Sequence, residues 1–335
     1  MDISKALCIV DAHTAGEPLR LIVAGVPLVK GSTMAEKQQY FVDHFDRYRK
    51  GILYEPRGHN DMFGALLLPP SHPEADLGVL FMNRVEMENM CGHGAIAVAT
   101  IAVELGYVKV SEPLTVVKLD TPAGLVRADV SVAGGKAKDV TLRCVPSFLL
   151  ERDLKANVPE FGELTIDVGY GGNFFALVDA AQIGEEISTA NYDKLIRIGL
   201  AAKDVVNGHF PPAHPLYSHI RGAIGTILYD AAERPGADML DMIVVGEGSV
   251  DRSPCGTGVA CLMAVMHAKG RWAIGREVVV QSFIGTKFAG KLLGETLEGG
   301  LPAIDSQIKG SAWITGMSQL FFDDEDPVEY GFSVK

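Results

Sequence analysis

The feature that most constrains the fold of this chain is a motif that occurs twice, 164 residues apart. The tetrapeptides CGHG at Cys91–Gly94 and CGTG at Cys255–Gly258 each open an apolar segment that ends at a glycine fifteen residues after its cysteine. Both segments, Gly94–Leu105 and Gly258–Lys269, are apolar on nearly all sides. This pattern predicts two equivalent helices that are each buried all round.

The rest of the sequence is typical of β-strands separated by turns. We expect strands at Ala6–Val10, Leu19–Val23, Gly51–Tyr54, Gly64–Leu68, Gly78–Phe81, Leu114–Leu119 and Gly124–Val132. A helix that is apolar all round must be surrounded, and here strands must surround it. The sequence therefore predicts an α/β protein of two duplicated halves, each a curved, mostly antiparallel sheet wrapped round a central buried helix.

A chain of 335 residues is long enough for two domains. We expect the first half to span residues 1–135 and the second half residues 136–315. The boundary is predicted at the Gly134-Gly135 turn, which follows the last two strand-like runs of the first half.

Composition excludes several classes of function. Acidic residues outnumber basic ones by 42 to 30, and the basic residues form no cluster, so neither nucleic acid nor an anionic membrane surface is an expected partner. The longest apolar stretches, near Ala95–Val103 and Val259–Met266, are too short to cross a bilayer. The first residues do not resemble a secretory signal, and five cysteines do not form a disulfide framework. We therefore expect a cytoplasmic protein.

The repeated CGxG motif has a specific chemistry. A cysteine directly before a helix lies where backbone N–H groups lack helical partners and the positive end of the helix dipole favours a thiolate. The glycines allow a ligand to approach the backbone, as in carboxylate sites at helix N-termini. Two such sites facing each other across an interdomain cleft would hold one carboxylate, with a thiol on either side.

This arrangement suits inversion of a carbon next to a carboxylate. One cysteine would remove the α-proton from one face, and the other would deliver a proton to the opposite face. Fixed N–H dipoles would stabilise the negative charge that develops on the carboxylate. Such a reaction requires neither a metal nor pyridoxal, and we expect no cofactor.

The cysteines also have a structural explanation. A free cysteine is most often a small buried hydrophobic residue, and we apply this explanation to Cys8, Cys144 and Cys261. For Cys91 and Cys255, the duplication and the paired glycines favour a catalytic role.

Two other residues near the motifs have alternatives. His93 together with Cys91 could bind zinc, but no second pair of ligands is evident in the sequence. Asp251 could cap a turn. Because it precedes a carboxylate-binding motif by a few residues, we favour an interaction with the ammonium group of a substrate.

The sequence resembles the proline racemase family over nearly its whole length. The resemblance rests on the order and spacing of five motifs: Asp11–Glu17 (DAHTAGE), Glu55–Gly64 (EPRGHNDMFG), Asn89–Gly94 (NMCGHG), Gly171–Phe175 (GGNFF) and Asp251–Gly258 (DRSPCGTG).

The resemblance implies two α/β halves joined by a hinge, as in diaminopimelate epimerase, with residues 316–335 crossing back to the first half. It also implies a homodimer that uses no cofactor. Cys91 and Cys255 would be the acid/base pair, and Asp251 would accept a hydrogen bond from the ring nitrogen. The residues whose amides would bind the substrate carboxylate are Gly92, His93, Gly256 and Thr257.

The family contains proline racemases, 4-hydroxyproline 2-epimerases and trans-3-hydroxyproline dehydratases. The dehydratases typically carry Thr in place of the second cysteine, so Cys255 favours inversion. Phe63 resembles the racemase form, whereas Val245 stands where the family usually has Phe, and Val85–Glu88 replaces the usual Gly-Gly-Tyr-Leu. Phe63 and Val245 are candidate walls of the ring pocket, and together they do not decide whether the substrate is proline or 4-hydroxyproline. A dehydratase and a non-catalytic imino-acid-binding protein are the alternatives.

Overall fold

The computed structural model of the chain describes residues 6–232 and 234–334. These residues divide into two units. Unit 1 contains the described residues up to Leu142 and those from Ser311 onward, and unit 2 contains Arg143–Gly310.

The elements follow one another as strands interrupted by four long helices. The first part of the chain forms β1 (Ala6–Thr14), β2 (Glu17–Ala24), α1 (Met34–Leu53), β3 (Gly64–Leu68), β4 (Leu77–Met82), β5 (Met87–Glu88), α2 (Gly92–Glu104), β6 (Leu114–Thr121), β7 (Gly124–Ala133) and β8 (Lys136–Arg143). The second part forms β9 (Phe148–Val158), β10 (Gly162–Tyr170), β11 (Phe174–Asp179), α3 (Tyr192–His209), β12 (Ala223–Asp230), β13 (Met239–Val245), β14 (Ser249–Asp251), α4 (Gly256–Ala268), β15 (Glu277–Ser282), β16 (Lys287–Glu298) and β17 (Leu301–Gly310), and β18 (Ala312–Phe321) follows. Two short 3₁₀ turns, Ala180–Gln182 and Thr189–Asn191, precede α3.

The two units have the same strand order. In unit 1 the strands pair in the order β18-β1-β2-β3-β4-β6-β7-β8. In unit 2 the order is β9-β10-β11-β12-β13-β15-β16-β17. Parallel and antiparallel pairings coincide position by position, so the predicted duplication is confirmed. The first strand of the unit 1 sheet is β18, which comes from the C-terminal part of the chain.

Parallel neighbours occur twice in each sheet, and a helix bridges each of them. The pairs β2–β3 and β11–β12 are connected through α1 and α3, and the pairs β4–β6 and β13–β15 are connected through α2 and α4. Parallel strands need such long crossovers, whereas hairpins connect antiparallel strands. The other pairings in the two strand orders are antiparallel, which confirms the mostly antiparallel sheets.

Helices α2 and α4 are the central helices that the repeated motif predicts. Every residue of α2 from Gly92 to Val103 is buried, and α2 contacts β18, β1, β2, β6 and β7, which lie towards both ends of the strand order. Helix α4 contacts β9, β10, β11, β16 and β17, which likewise lie towards both ends of the strand order of unit 2. Each sheet therefore wraps round its own helix, as expected. Among the described helices, none is both long and apolar enough to cross a membrane.

The glycines that end the two central helices have the same role. Gly106 and Gly270 adopt φ values of +74° and +73°, and the next residues, Tyr107 and Arg271, donate backbone hydrogen bonds to carbonyls five positions back. This is the usual way for a helix to end at a glycine.

The predicted strand Gly51–Tyr54 is wrong, because these residues form the last turn and C-cap of α1. The helix begins at Thr33, whose hydroxyl accepts from Glu36 N–H, while Ser32 donates to the Glu36 carboxylate. Such reciprocal capping starts a helix. Its buried residues recur at helical spacing along one face, which makes Gly51–Leu53 part of the same amphipathic helix.

The Gly134-Gly135 turn joins β7 to β8, and both strands belong to one antiparallel meander with β6. Strand pairing therefore carries unit 1 on to Leu142. Strand β18 pairs with β1 over the whole of Ala312–Phe321, so unit 1 resumes at Ser311. The predicted boundaries were residues 135/136 and 315/316.

Candidate active site

The thiol of unit 1 caps the central helix of that unit. Cys91 is the N-cap of α2, and its Sγ accepts a hydrogen bond from Gly94 N–H at 3.3 Å. The sulfur also lies 3.2 Å from His93 Nδ1. Both residues are 6% exposed. The thiol is therefore held by the first turn of the helix, where backbone N–H groups favour negative charge.

His93 is fixed from two directions. Its carbonyl accepts a hydrogen bond of 2.8 Å from the buried hydroxyl of Thr14, the last residue of β1. Its ring packs edge-on against Phe63, with 4.7 Å between the ring centroids. The structure thus brings Phe63, His93 and Cys91 together within unit 1, although the sequence separates the first from the other two.

The third residue after the cysteine must be glycine in both motifs. A Cβ at Gly94 would lie 2.7 Å from the Phe81 ring, and a Cβ at Gly258 would lie 2.5 Å from Ile243 Cδ1. The first turn of each central helix therefore packs directly onto the sheet. This close packing explains why the motif repeats its last glycine.

The thiol of unit 2 has a different backbone. Cys255 adopts φ +61°, ψ 120°, and its Sγ lies 3.5 Å from Thr257 Oγ1. A non-glycine residue with positive φ stores strain, and such strain is often found at functional sites. The two thiols occupy equivalent sequence positions, but only Cys255 carries this strain.

Burial raises the pKa of the Cys255 thiol well above its usual range, and the negative charge of Asp251 raises this pKa further. Hydrogen bonds with the Thr257 hydroxyl and the Gly258 amide act in the opposite direction but do not compensate. In the ligand-free protein Cys255 is therefore a neutral thiol at neutral pH, which is the form that donates a proton.

Asp251 and Ser253 connect β14 to Cys255. Asp251 Oδ1 accepts hydrogen bonds from both the amide and the hydroxyl of Ser253 at 2.8 Å, and Ser253 Oγ accepts from Cys255 N–H at 3.0 Å. Asp251 thus caps a turn, which is one of the two roles that the sequence allowed for it. Ser253, which is 1% exposed, links Asp251 to Cys255, and no sequence pattern predicted this link.

The GGN motif packs against the first turn of α4. A Cβ at Gly171 would clash with the Thr257 carbonyl oxygen and the Cys261 amide nitrogen, and Gly172 adopts φ +110° next to the Thr257 methyl group. Glycine is therefore required at Gly171 by the close approach of two backbone segments. This contact gives the motif a function in placing Thr257, which the sequence alone did not suggest.

The two candidate wall residues of the ring pocket lie in different units. Phe63 precedes β3 in unit 1, and Val245 is the last residue of β13 in unit 2. Val245 is partly exposed, and it lies on the strand face that carries Ile243, since strand side chains alternate. Because Ile243 packs at Gly258, this face is directed towards the N-terminal turn of α4.

Asp241 is a buried acid that the sequence did not single out. It is 0% exposed, and neither carboxyl oxygen has a hydrogen-bond partner among the described residues. Burial raises its pKa well above the usual range, and the charge of Asp251 raises it further. Asp241 therefore keeps its proton to a higher pH than an ordinary aspartate does. Asp241 lies in the otherwise apolar strand β13, where no sequence pattern marks it as a candidate functional residue.

The candidate zinc ligands Cys91 and His93 are adjacent, but within residues 6–232 and 234–334 no three His, Cys, Asp or Glu side chains are grouped to hold a metal ion. Structural zinc sites need four ligands. The unit 1 thiol is thus better described by its contacts with the helix N-terminus and the His93 ring.

Relatives of known activity match the whole chain. The 4-hydroxyproline 2-epimerase of Streptosporangium roseum is 44% identical over 96% of this chain and 97% of that protein. The proline racemase of Clostridioides difficile is 40% identical over the full length of both. A trans-3-hydroxy-L-proline dehydratase of Burkholderia ambifaria is 38% identical, also over the full length of both.

A solved structure gives the same result for the fold. The hydroxyproline epimerase of Agrobacterium vitis, crystallised with bound trans-4-hydroxy-L-proline, superposes with a TM-score of 0.89 at 32% identity, covering 100% of this chain and 97% of that one. The model of the proline racemase family matches residues 9–333. With a cysteine directly before each of the two central helices, the chain belongs to the proline racemase family.

Proposed function

We propose that this protein is an isomerase that inverts the α-carbon of proline or 4-hydroxyproline, with Cys91 and Cys255 as the acid/base pair. The observation that carries the proposal is the duplication of a thiol at the N-terminus of a buried helix, once in each unit. Inversion needs two groups that act on opposite faces of one carbon, and duplication supplies two equivalent groups.

The helix N-termini supply the electrostatic part of the reaction. The amides of Gly92, His93, Gly256 and Thr257 are proposed to bind the substrate carboxylate, since N–H groups in the first turn of a helix have no partner within the helix. Removal of the α-proton places negative charge on this carboxylate. Fixed N–H dipoles stabilise that charge without reorganisation.

Proton transfer follows from the state of the thiols. Cys255, whose pKa is raised, is proposed as the donor, and Cys91 at the N-terminus of α2 is proposed to act as the base in its thiolate form. His93 Nδ1 is close enough to donate to this thiolate in the tautomer that carries its proton there. In the reverse direction the roles exchange. A substrate ammonium next to Asp251 would offset the charge that helps to raise the pKa of Cys255.

Optical rotation tests the proposal directly. Each enantiomer of proline, and trans-4-hydroxy-L-proline, is incubated with the protein and rotation is followed over time. Loss of rotation with proline, or approach to an epimer mixture with hydroxyproline, supports the proposal. A carbonyl product from trans-3-hydroxy-L-proline without inversion of the other substrates identifies a dehydratase instead. Binding without any change in rotation identifies a non-catalytic protein.

We further propose that the protein is a cytoplasmic homodimer. Strand β18 exposes the apolar side chains Trp313, Met317 and Phe321, which are 55%, 67% and 41% exposed. Several large exposed apolar side chains on one strand are typical of a surface that a second copy covers. All five cysteines are free thiols, as in a reducing compartment. Light scattering after gel filtration should give twice the chain mass of 35.9 kDa, and a monomer would contradict the dimer.

Val245→Phe is expected to shift kcat/KM towards proline relative to trans-4-hydroxy-L-proline. A larger apolar side chain at this position fills space next to the ring and removes room for a hydroxyl. We expect a change of about tenfold in the ratio, which corresponds to about 1.4 kcal/mol. Ile284→Phe, at an exposed position of unit 2, is the control. An unchanged ratio would show that Val245 does not line the ring pocket.

A further inference from the structure

The loop Tyr54–Phe63, here called the Phe63 loop, connects α1 to β3 and reaches the unit 1 site through Phe63. Its last residue packs edge-on against the ring of His93, whose Nδ1 lies 3.2 Å from Cys91 Sγ. A displacement of this loop would uncover His93, and with it the buried sulfur. The contacts that hold the loop are therefore contacts that control the site.

Arg20 holds the inner side of the Phe63 loop. Its backbone N–H donates to Phe63 O at 2.9 Å, and its Nη1 donates to Ile52 O at 3.0 Å and to Arg57 O at 2.6 Å. The guanidinium is oriented by Asp11, with 2.9 Å between Nε and Oδ1. Arg20, in the middle of β2, thus binds the last turn of α1 and Arg57 through its side chain and the end of the loop through its backbone.

The outer side of the loop is held by the C-terminal residues. Arg57 Nη1 donates to Glu329 O at 2.8 Å, and its Nη2 donates to Phe321 O at 3.0 Å. The guanidinium also stacks over the ring of Phe322 at 4.7 Å, and Asp326 lies 4.0 Å away. The planar guanidinium donates to two carbonyl oxygens at once, and stacking on a ring fixes its orientation. Only arginine has this geometry.

A second contact joins the same two segments. The N–H of Phe332 donates to Glu55 O at 2.9 Å, and the two residues form an isolated β-bridge. Gly331 adopts φ +83°, and a Cβ there would lie 2.7 Å from Glu55 O. The backbones approach so closely that glycine is required. The buried ring of Phe322, stacked on Tyr330 at 5.3 Å, anchors the C-terminal residues to α1.

We propose that residues 322–334 form a strap that positions the Phe63 loop over Cys91, and that Arg57 is the positioning residue through which the strap acts. The expected effect of the strap on turnover rests on the acid/base role proposed above for Cys91. The expected effect of the strap on the accessibility of the Cys91 sulfur does not depend on that role. Apart from Phe322, the strap has no fully buried residue, and it is held by its contacts with the loop and with α1.

Thiol alkylation measures the strap's effect on each site separately. We compare the full chain with Arg57→Lys and with a chain that ends at Asp326, and follow iodoacetamide labelling of Cys91 and Cys255 by peptide mass spectrometry. Arg57→Lys keeps the positive charge but loses the planar guanidinium that donates to two carbonyls at once. Arg127→Lys, at an exposed ion pair of the same unit, is the control.

Cys91 is expected to react about tenfold faster in both variants, with Cys255 unchanged, because only the cover over unit 1 has loosened. kcat/KM should fall by a similar factor. Unchanged labelling of Cys91, or equal acceleration of both thiols, overturns the proposal. If the shortened chain does not fold, Arg57→Lys alone decides. A change at Cys91 in a protein whose full chain does not invert proline or hydroxyproline would support the strap and contradict the proposed function.

Discussion

Replacing either Cys91 or Cys255 with serine is expected to lower kcat/KM for inversion by about three orders of magnitude, because a hydroxyl is a much weaker acid and base than a thiol. Each variant keeps one functional thiol, so both directions of the reaction lose one proton-transfer partner. Steady-state polarimetry with both enantiomers measures the loss. The change adds no bulk at the helix N-terminus, so the fold should be unaffected.

Cys8→Ser is the matched control, because Cys8 is a partly buried thiol in β1 without a proposed role. It should retain full activity. Near-normal inversion in either the Cys91 or the Cys255 variant would show that one thiol is sufficient, and a large loss in the Cys8 variant would show that serine disturbs this fold in general.

Asp241→Asn is expected to make the stability of the protein less dependent on pH. The folded-state pKa of Asp241 is raised, so above the ordinary pKa of an aspartate the unfolded chain loses this proton while the folded protein keeps it. The wild-type protein therefore loses stability as pH rises through this range. Asparagine does not titrate, so the stability of the variant relative to wild type should rise with pH, by about 1.4 kcal/mol for each unit by which the pKa of Asp241 is raised.

Urea unfolding at about pH 4 and about pH 8 tests this expectation, since these values lie near and well above the ordinary aspartate pKa. The difference between variant and wild type should be small at the lower pH and larger at the higher one. Asp204→Asn, which removes a charge that is 72% exposed, is the control. The same difference at both pH values would mean that Asp241 is ionised in the folded protein.

The central helices and the duplication were predictable because they depend on local sequence. In both copies an apolar segment of the same length follows the two glycines, and in both it forms a buried helix of thirteen residues. Helix α1 was not predicted, because the short apolar run Gly51–Tyr54 resembles a strand, although its residues continue a helical face of buried residues that begins at Met34. The capping pair Thr33 and Glu36 was the signal that marks its start.

The candidate site was predictable only in part. The thiols and the helix amides lie within the motifs, so their geometry follows from local sequence. The contact between Arg57 and Glu329 joins residues 272 positions apart, and no local pattern predicts it. Asp241 lies in a strand that is otherwise apolar, where only the tertiary structure shows that its carboxyl group has no partner. Local sequence patterns do not predict contacts between residues that are far apart in the chain.

Solvent deuterium labelling tests the two-thiol proposal most directly. Inversion of proline in deuterium oxide is stopped after a few per cent of conversion, and the label at the α-carbon is measured separately in product and in remaining substrate. Because one thiol removes the proton and the other delivers a deuteron, the product should carry the label and the remaining substrate should not. Equal early labelling of both would contradict the proposal, because it would mean that a single group removes and returns the proton.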